Sequence, residues 1–132
     1  MQKKRKDLSL SIQTFEKLIE SSYIYVDKTA DIHQLITSSL TACFLSRPRR
    51  FGKSLTVSTL DAIFSGKKDL FDGLSISKTD YAWPIHPVIR LDMKYAAEAN
   101  AELAEKGLLQ TLRDIASRYH VAYEEPTASK SF

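Results

Sequence analysis

Leu40-Thr41-Ala42-Cys43-Phe44-Leu45-Ser46-Arg47-Pro48-Arg49-Arg50-Phe51-Gly52-Lys53-Ser54-Leu55 is the stretch on which a reading of this chain turns. It runs from an apolar segment through a basic, Pro- and Gly-containing turn into a helical pattern. Leu40 to Leu45 has the length and near-continuous apolarity expected of a strand buried on both faces, as in a parallel sheet. After Lys53 the period changes. Leu55, Leu60, Ile63 and Phe64 fall on one helical face with Val57 beside it, and Gly66 stands where a C′ glycine ends a helix.

Outward from this centre, Phe15, Leu18 and Ile19 share one face of a short helix over 14–21, with Thr14 as its expected N-cap. Tyr23 to Val26 is aromatic and β-branched, a short strand by composition. Ile32, Leu35 and Ile36 recur at helical spacing, and Ser38-Ser39 closes that helix. A polar connection over 75–83 leads to Pro87-Val88-Ile89-Arg90-Leu91-Asp92, a second apolar strand ending in an acid. Glu98 to Arg118 is helical, with Leu103, Gly107, Leu108, Thr111, Leu112 and Ile115 in one stripe. This order predicts an α/β layered fold, a mostly parallel sheet flanked by helices.

The chain has 132 residues, 43% hydrophobic and 27% charged, the composition of one ordinary globular domain. No apolar run approaches the ~20 residues that cross a bilayer, so no membrane insertion is expected. The N-terminus lacks the apolar core of a secretory signal, and the cytoplasm is the expected location. The net charge of +3 becomes −1 once Lys3, Lys4, Arg5 and Lys6 are set aside, so the basicity belongs to a tail over residues 1–7. Such a tail is solvated, or touches nucleic acid or anionic lipid. Cys43 is the single cysteine and reads as a small buried hydrophobe. His33, His86 and His120 have no metal-ligand spacing. No nucleophile–base pair stands out, and the tyrosines form no base-stacking platform.

Chemistry concentrates at Arg47 to Ser54. Backbone N–H groups from Arg49 to Ser54 would form a nest for phosphate oxygens, and the helix start adds further free N–H groups. Gly52 lets the backbone approach an anion, Lys53 would reach β- and γ-phosphates, and the Ser54 hydroxyl would ligate Mg²⁺. A Gly-x-x-x-x-Gly-Lys-Ser loop wants glycine where Arg47 stands. On the residues alone, the string is either a nucleotide-phosphate loop or a basic turn before a helix. Phe51 is expected to pack the loop down. Asp27 and Lys28 either form an ion pair or line the pocket, and Asp92 reads as a strand-end acid outside catalysis.

Arg47-Pro48-Arg49-Arg50-Phe51-Gly52-Lys53-Ser54-Leu55 resembles the modified Walker A loop of the AAA-ATPase-like family of mainly bacterial proteins. Tyr25-Val26-Asp27-Lys28-Thr29, Leu70-Phe71-Asp72-Gly73-Leu74-Ser75-Ile76 and the Pro87-Val88-Ile89 strand resemble further motifs of that family, in order. The resemblance covers about residues 8–125 and leaves 126–132 as a polar tail. It implies a partial P-loop NTPase fold that binds ATP and Mg²⁺ through Arg49, Arg50, Phe51, Gly52, Lys53, Ser54 and Leu55. In the family this part is usually followed by a PD-(D/E)XK nuclease-like domain. No apolar strand ending in Asp-Glu, the family's Walker B, follows Val121. The expectation is therefore a truncated N-terminal portion that binds nucleotide without hydrolysing it alone. Its expected partners are the C-terminal half or other subunits. The alternative is a non-enzymatic module that contacts nucleic acid or protein through its basic tail and arginine loop.

Overall fold

The computed structural model describes residues 7–9, 11–91 and 101–122. The basic residues Lys3 to Lys6, the acid Asp92, the first turn expected at Glu98 and the tail over 126–132 lie outside the described residues. The chain divides into two compact units, Met1–Val88 and Ile89–Phe132. The first holds helices α1 (Phe15–Glu20), α2 (Thr29–Thr37) and α3 (Lys53–Phe64), followed by the 3₁₀ turns η1 (Lys68–Phe71) and η2 (Ser75–Lys78). The second holds α4 (Ala101–Arg118).

The expected sheet is not there: no described residue lies in a β-strand. Leu40 to Leu45 is exposed throughout, with Phe44 91% accessible and Cys43 open to solvent. The Pro87–Leu91 segment likewise leaves Ile89 and Leu91 exposed. Only the 23–26 segment shows a strand-like alternation, with Tyr23 and Tyr25 half-buried and Ile24 and Val26 exposed. Its Ile24 N–H donates to Asp7 O at 3.0 Å, with no ladder to extend the pairing. Apolar period identifies residues that favour burial, whereas a strand exists only where a neighbour supplies the ladder. Among the described residues no such neighbour is present, and the α/β reading fails for that reason.

The three helices form where periodicity places them, and they gather an aromatic core. Phe15 and Phe71 stack with centroids 4.6 Å apart, Tyr25 meets Phe15 edge-on at 5.1 Å, and Trp83 lies 5.0 Å from Phe71. Ile32, Ala62, Ile63 and Ile76 complete the buried cluster. The face of α3 differs from the expected stripe. Ser58 and Thr59 are buried beside Ala62 and Ile63, while Leu55 and Leu60 are half-buried and Val57 is exposed. Hydroxyl burial is tolerated because every hydroxyl is bonded. Thr59 Oγ1 donates to Leu55 O at 2.8 Å, and Ser58 Oγ to the same carbonyl at 3.0 Å.

Ser58 also supplies what Thr14 does not. Thr14 occupies the N-cap position of α1 with extended backbone, yet its side chain makes no capping bond. Ser58 Oγ instead accepts the Phe15 N–H at 2.9 Å, tying α1 to α3. Lys67 and Glu16 add an ion pair between the same parts of the chain.

Three of the four described helices, α1, α3 and α4, end in one pattern. After α3, Lys67 N–H donates to Ala62 O and Gly66 N–H to Ile63 O, both at 3.0 Å, with Gly66 left-handed at φ +71°. This is a Schellman motif. The same pair of bonds closes α1 around Ser22 at φ +56° and α4 around His120 at φ +53°. Only Gly66 carries the residue type that makes such a stop visible in sequence. On α4, Gly107, Thr111, Leu112 and Ile115 are half-buried as expected, whereas Leu103 and Leu108 are exposed.

Candidate functional site

The loop between Leu45 and α3 is built by two left-handed residues. Arg50 has φ +66° and Gly52 φ +79°, a conformation that costs an L-residue about 1–2 kcal/mol and glycine almost nothing. Phe51 N–H donates to Pro48 O at 3.4 Å, closing a tight turn. Arg47 Nη1 donates to Phe51 O at 3.3 Å, so the arginine at the expected glycine position braces the loop it opens. Gly52 is the N-cap of α3, and no side chain caps that end. Its carbonyl is consumed by Thr56, whose N–H and Oγ1 donate to it at 2.8 and 2.9 Å. With no side-chain cap among the described residues, the first N–H groups of α3 are left for an external acceptor.

Two cavities flank the loop. The larger, about 570 Å³, is bounded on one side by Arg50, Gly52, Lys53, Ser54 and Leu55, and on the other by Ser9, Ser11, Ile12 and Gln13. The smaller, about 230 Å³, is lined by Lys28, Arg47, Gly52 and Thr56 over an apolar base of Tyr25, Ile32 and Leu55. Among the described residues, no acidic one lines either cavity.

Of the residues expected from sequence, Arg50, Gly52, Lys53, Ser54 and Leu55 meet at the larger cavity. Arg49 and Phe51 line neither one. Phe51 is 64% exposed and does not pack the loop down, because its backbone alone is held. Its N–H, bound to Pro48 O, interrupts the run of donors expected from Arg49 to Ser54. The hydroxyl of Ser54 has no bond to any described residue. It differs in this from Thr56, Ser58 and Thr59 on the same helix, each of which donates back to a carbonyl of the preceding turn. The reason is positional: four residues before Ser54 the chain is still in the loop.

Sequence reasoning missed the wall formed by Ser9, Ser11, Ile12 and Gln13, which has no local pattern and precedes α1. It also missed Arg47 as a brace. For Asp27 the expected ion pair with Lys28 is absent. Asp27 Oδ1 accepts from Thr29 N–H at 2.9 Å and Thr29 Oγ1 at 2.6 Å, and Oδ2 accepts from Ser75 N–H at 2.8 Å and Ser75 Oγ at 2.7 Å. Burial would raise this carboxyl, but the bonds from Thr29 and Ser75 outweigh it and lower its pKa to about 2. Thr29 Oγ1 in turn accepts Ile76 N–H at 3.1 Å. Asp27 and Thr29 therefore clamp the start of α2 to η2, and Lys28 between them faces the smaller cavity. Next to it, burial raises the Tyr25 phenol, with hydrogen bonding to Thr59 opposing.

Comparison with known proteins agrees with the family resemblance. A protein of Azotobacter chroococcum mcd 1, named "Uncharacterized protein in vnfD 5'region", is 49% identical over 89 residues. The match covers 66% of this chain and only 17% of that protein's length, so the chain corresponds to a small part of its relative. No solved structure matches. The family model AAA-ATPase_like, described as "Predicted AAA-ATPase", matches residues 9–132, nearly the whole chain, and the chain belongs to this AAA-ATPase-like family.

Proposed function

We propose that the chain binds a nucleoside triphosphate, ATP with Mg²⁺, at the loop from Arg47 to Ser54, which acts as a modified Walker A loop. The observation that carries this reading is the start of α3. A left-handed Gly52 with no side-chain cap opens onto a 570 Å³ cavity beside Lys53 and Ser54. That volume lies within the ~300–1,000 Å³ of small-molecule sites. The free N–H groups and the Lys53 ammonium hold phosphate oxygens, and Arg50 adds charge at the rim. The free hydroxyl of Ser54 suits Mg²⁺, a hard cation that takes oxygen ligands and keeps several waters. Bound there, Mg²⁺ neutralises phosphate charge.

Binding without turnover is the activity proposed for this segment. Among the described residues, neither cavity is lined by a carboxylate that would hold Mg²⁺ through water or orient an attacking water. Thermal melting with millimolar Mg·ATP tests the binding. A ligand at about 100 times its Kd stabilises by about 2.7 kcal/mol, a shift that Lys53→Ala should abolish. A melting temperature unmoved by Mg·ATP would overturn the reading in favour of an arginine-loop contact with nucleic acid or protein. Robust phosphate release that depends on Lys53 would overturn the absence of turnover.

A further inference from the structure

The smaller cavity holds two cations that the loop reading leaves unused. Lys28 is the N-cap of α2, so its charge stands at the positive end of that helix, where a cation is disfavoured. The adjacent carboxylate makes no ion pair with it, since both Asp27 oxygens are engaged by Thr29 and Ser75. Lys28 makes no ion pair with any described residue. Arg47 spends one donor on Phe51 O, and the same nitrogen stands 3.9 Å from where a Cβ on Gly52 would lie. The rest of its five-donor fork is unbonded among the described residues. Two exposed cations thus share a cavity that no acidic side chain lines among the described residues. An anion would relieve both.

Size selects the anion. At about 230 Å³ the cavity falls below the ~300 Å³ at which sites for whole small molecules begin, yet it has room for a phosphate group. It shares Gly52 and Leu55 with the larger cavity, so a chain of phosphates lying across Gly52 would reach both. We propose that Lys28 and Arg47 form a second anion subsite that takes the terminal phosphate of the triphosphate. The proposal rests on the nucleotide reading above.

Isothermal titration of the full chain with Mg·ATP and Mg·ADP tests it, using Lys28→Met, Lys28→Arg and Lys53→Ala. Lys28→Met should weaken Mg·ATP about ten-fold or more and change Mg·ADP by less than about three-fold. Lys28→Arg should keep ATP binding within about three-fold. The unliganded melting temperature of Lys28→Met should equal or exceed that of the parent, because a cation leaves a helix N-terminus. Unchanged or equal losses for ATP and ADP in Lys28→Met, with Lys53→Ala still defective, would overturn the subsite and leave the nucleotide reading standing. A lowered unliganded melting temperature would likewise overturn it, assigning Lys28 a structural role. A parent chain that binds neither nucleotide would overturn both.

Discussion

Replacing Asp27 by asparagine probes the clamp that positions Lys28 and the start of α2. Asparagine keeps one acceptor oxygen and turns the other into an NH₂ donor. Because Thr29 and Ser75 each present an N–H and a hydroxyl, either orientation of the amide leaves one pair facing a donor. The carboxyl is held at about 2 against an ordinary 3.8, a gap equivalent to at most ~2.5 kcal/mol at about 1.36 kcal/mol per pH unit. Asp27 is solvent-exposed, and screening reduces this to about 1 kcal/mol. With the unmatched donors added, the variant should lose about 1–2 kcal/mol near neutrality. That corresponds to roughly 5–15 °C in melting temperature for a unit of this size.

The sign of the pH dependence follows from a folded pKa below the unfolded one. The contribution is whole above about pH 4 and disappears as pH falls through about 2. Urea denaturation followed by Trp83 fluorescence reads this directly, since Trp83 packs 5.0 Å from Phe71 in the core. The gap between parent and Asp27→Asn should be widest near neutrality and should narrow between about pH 4 and 2. A gap below about 0.3 kcal/mol at neutral pH, or one that stays constant down to about pH 2, would refute the clamp.

Three further outcomes follow from local geometry. Ser58→Ala removes the acceptor of the buried Phe15 N–H and should cost about 1–3 kcal/mol in urea denaturation; no loss would mean that α1 is not capped from α3. Gly66→Ala should destabilise by about 1 kcal/mol, mainly through its left-handed backbone. The new Cβ would meet Ile85 Cγ1 at 2.7 Å, but Ile85 is exposed and free to swing aside. Ser22→Gly should do the opposite, raising stability by about 0.5–1 kcal/mol, because the same left-handed stop of α1 is held by a serine. Calorimetric melts of both glycine-site variants check the pair, and shifts of the same sign would contradict the Schellman assignment.

Helices were legible from their apolar repeats. Phe15, Leu18 and Ile19 marked α1, Ile32, Leu35 and Ile36 marked α2, and Gly66 marked the end of α3 to the residue. Strands were not legible in the same way. Leu40 to Leu45 has the composition of a buried strand and lies exposed, because helix bonds close within a segment while strand bonds need a second one. The loop separates similarly. Gly52, Lys53 and Ser54 were identifiable by type and spacing, whereas the outward face of Phe51 and the bracing role of Arg47 depend on one turn's backbone geometry.

What the sequence determined by itself is therefore local and chemical: which segments coil, which residues carry charge into the loop, and which family the motifs belong to. What the tertiary structure decided is non-local. It brought Ser58 under α1, locked Asp27 onto Ser75 across 48 positions, set Ser9, Ser11 and Gln13 beside Lys53, and turned Lys28 toward Gly52. No periodicity encodes such meetings, because each depends on where a distant segment packs and on which buried donors then require an acceptor.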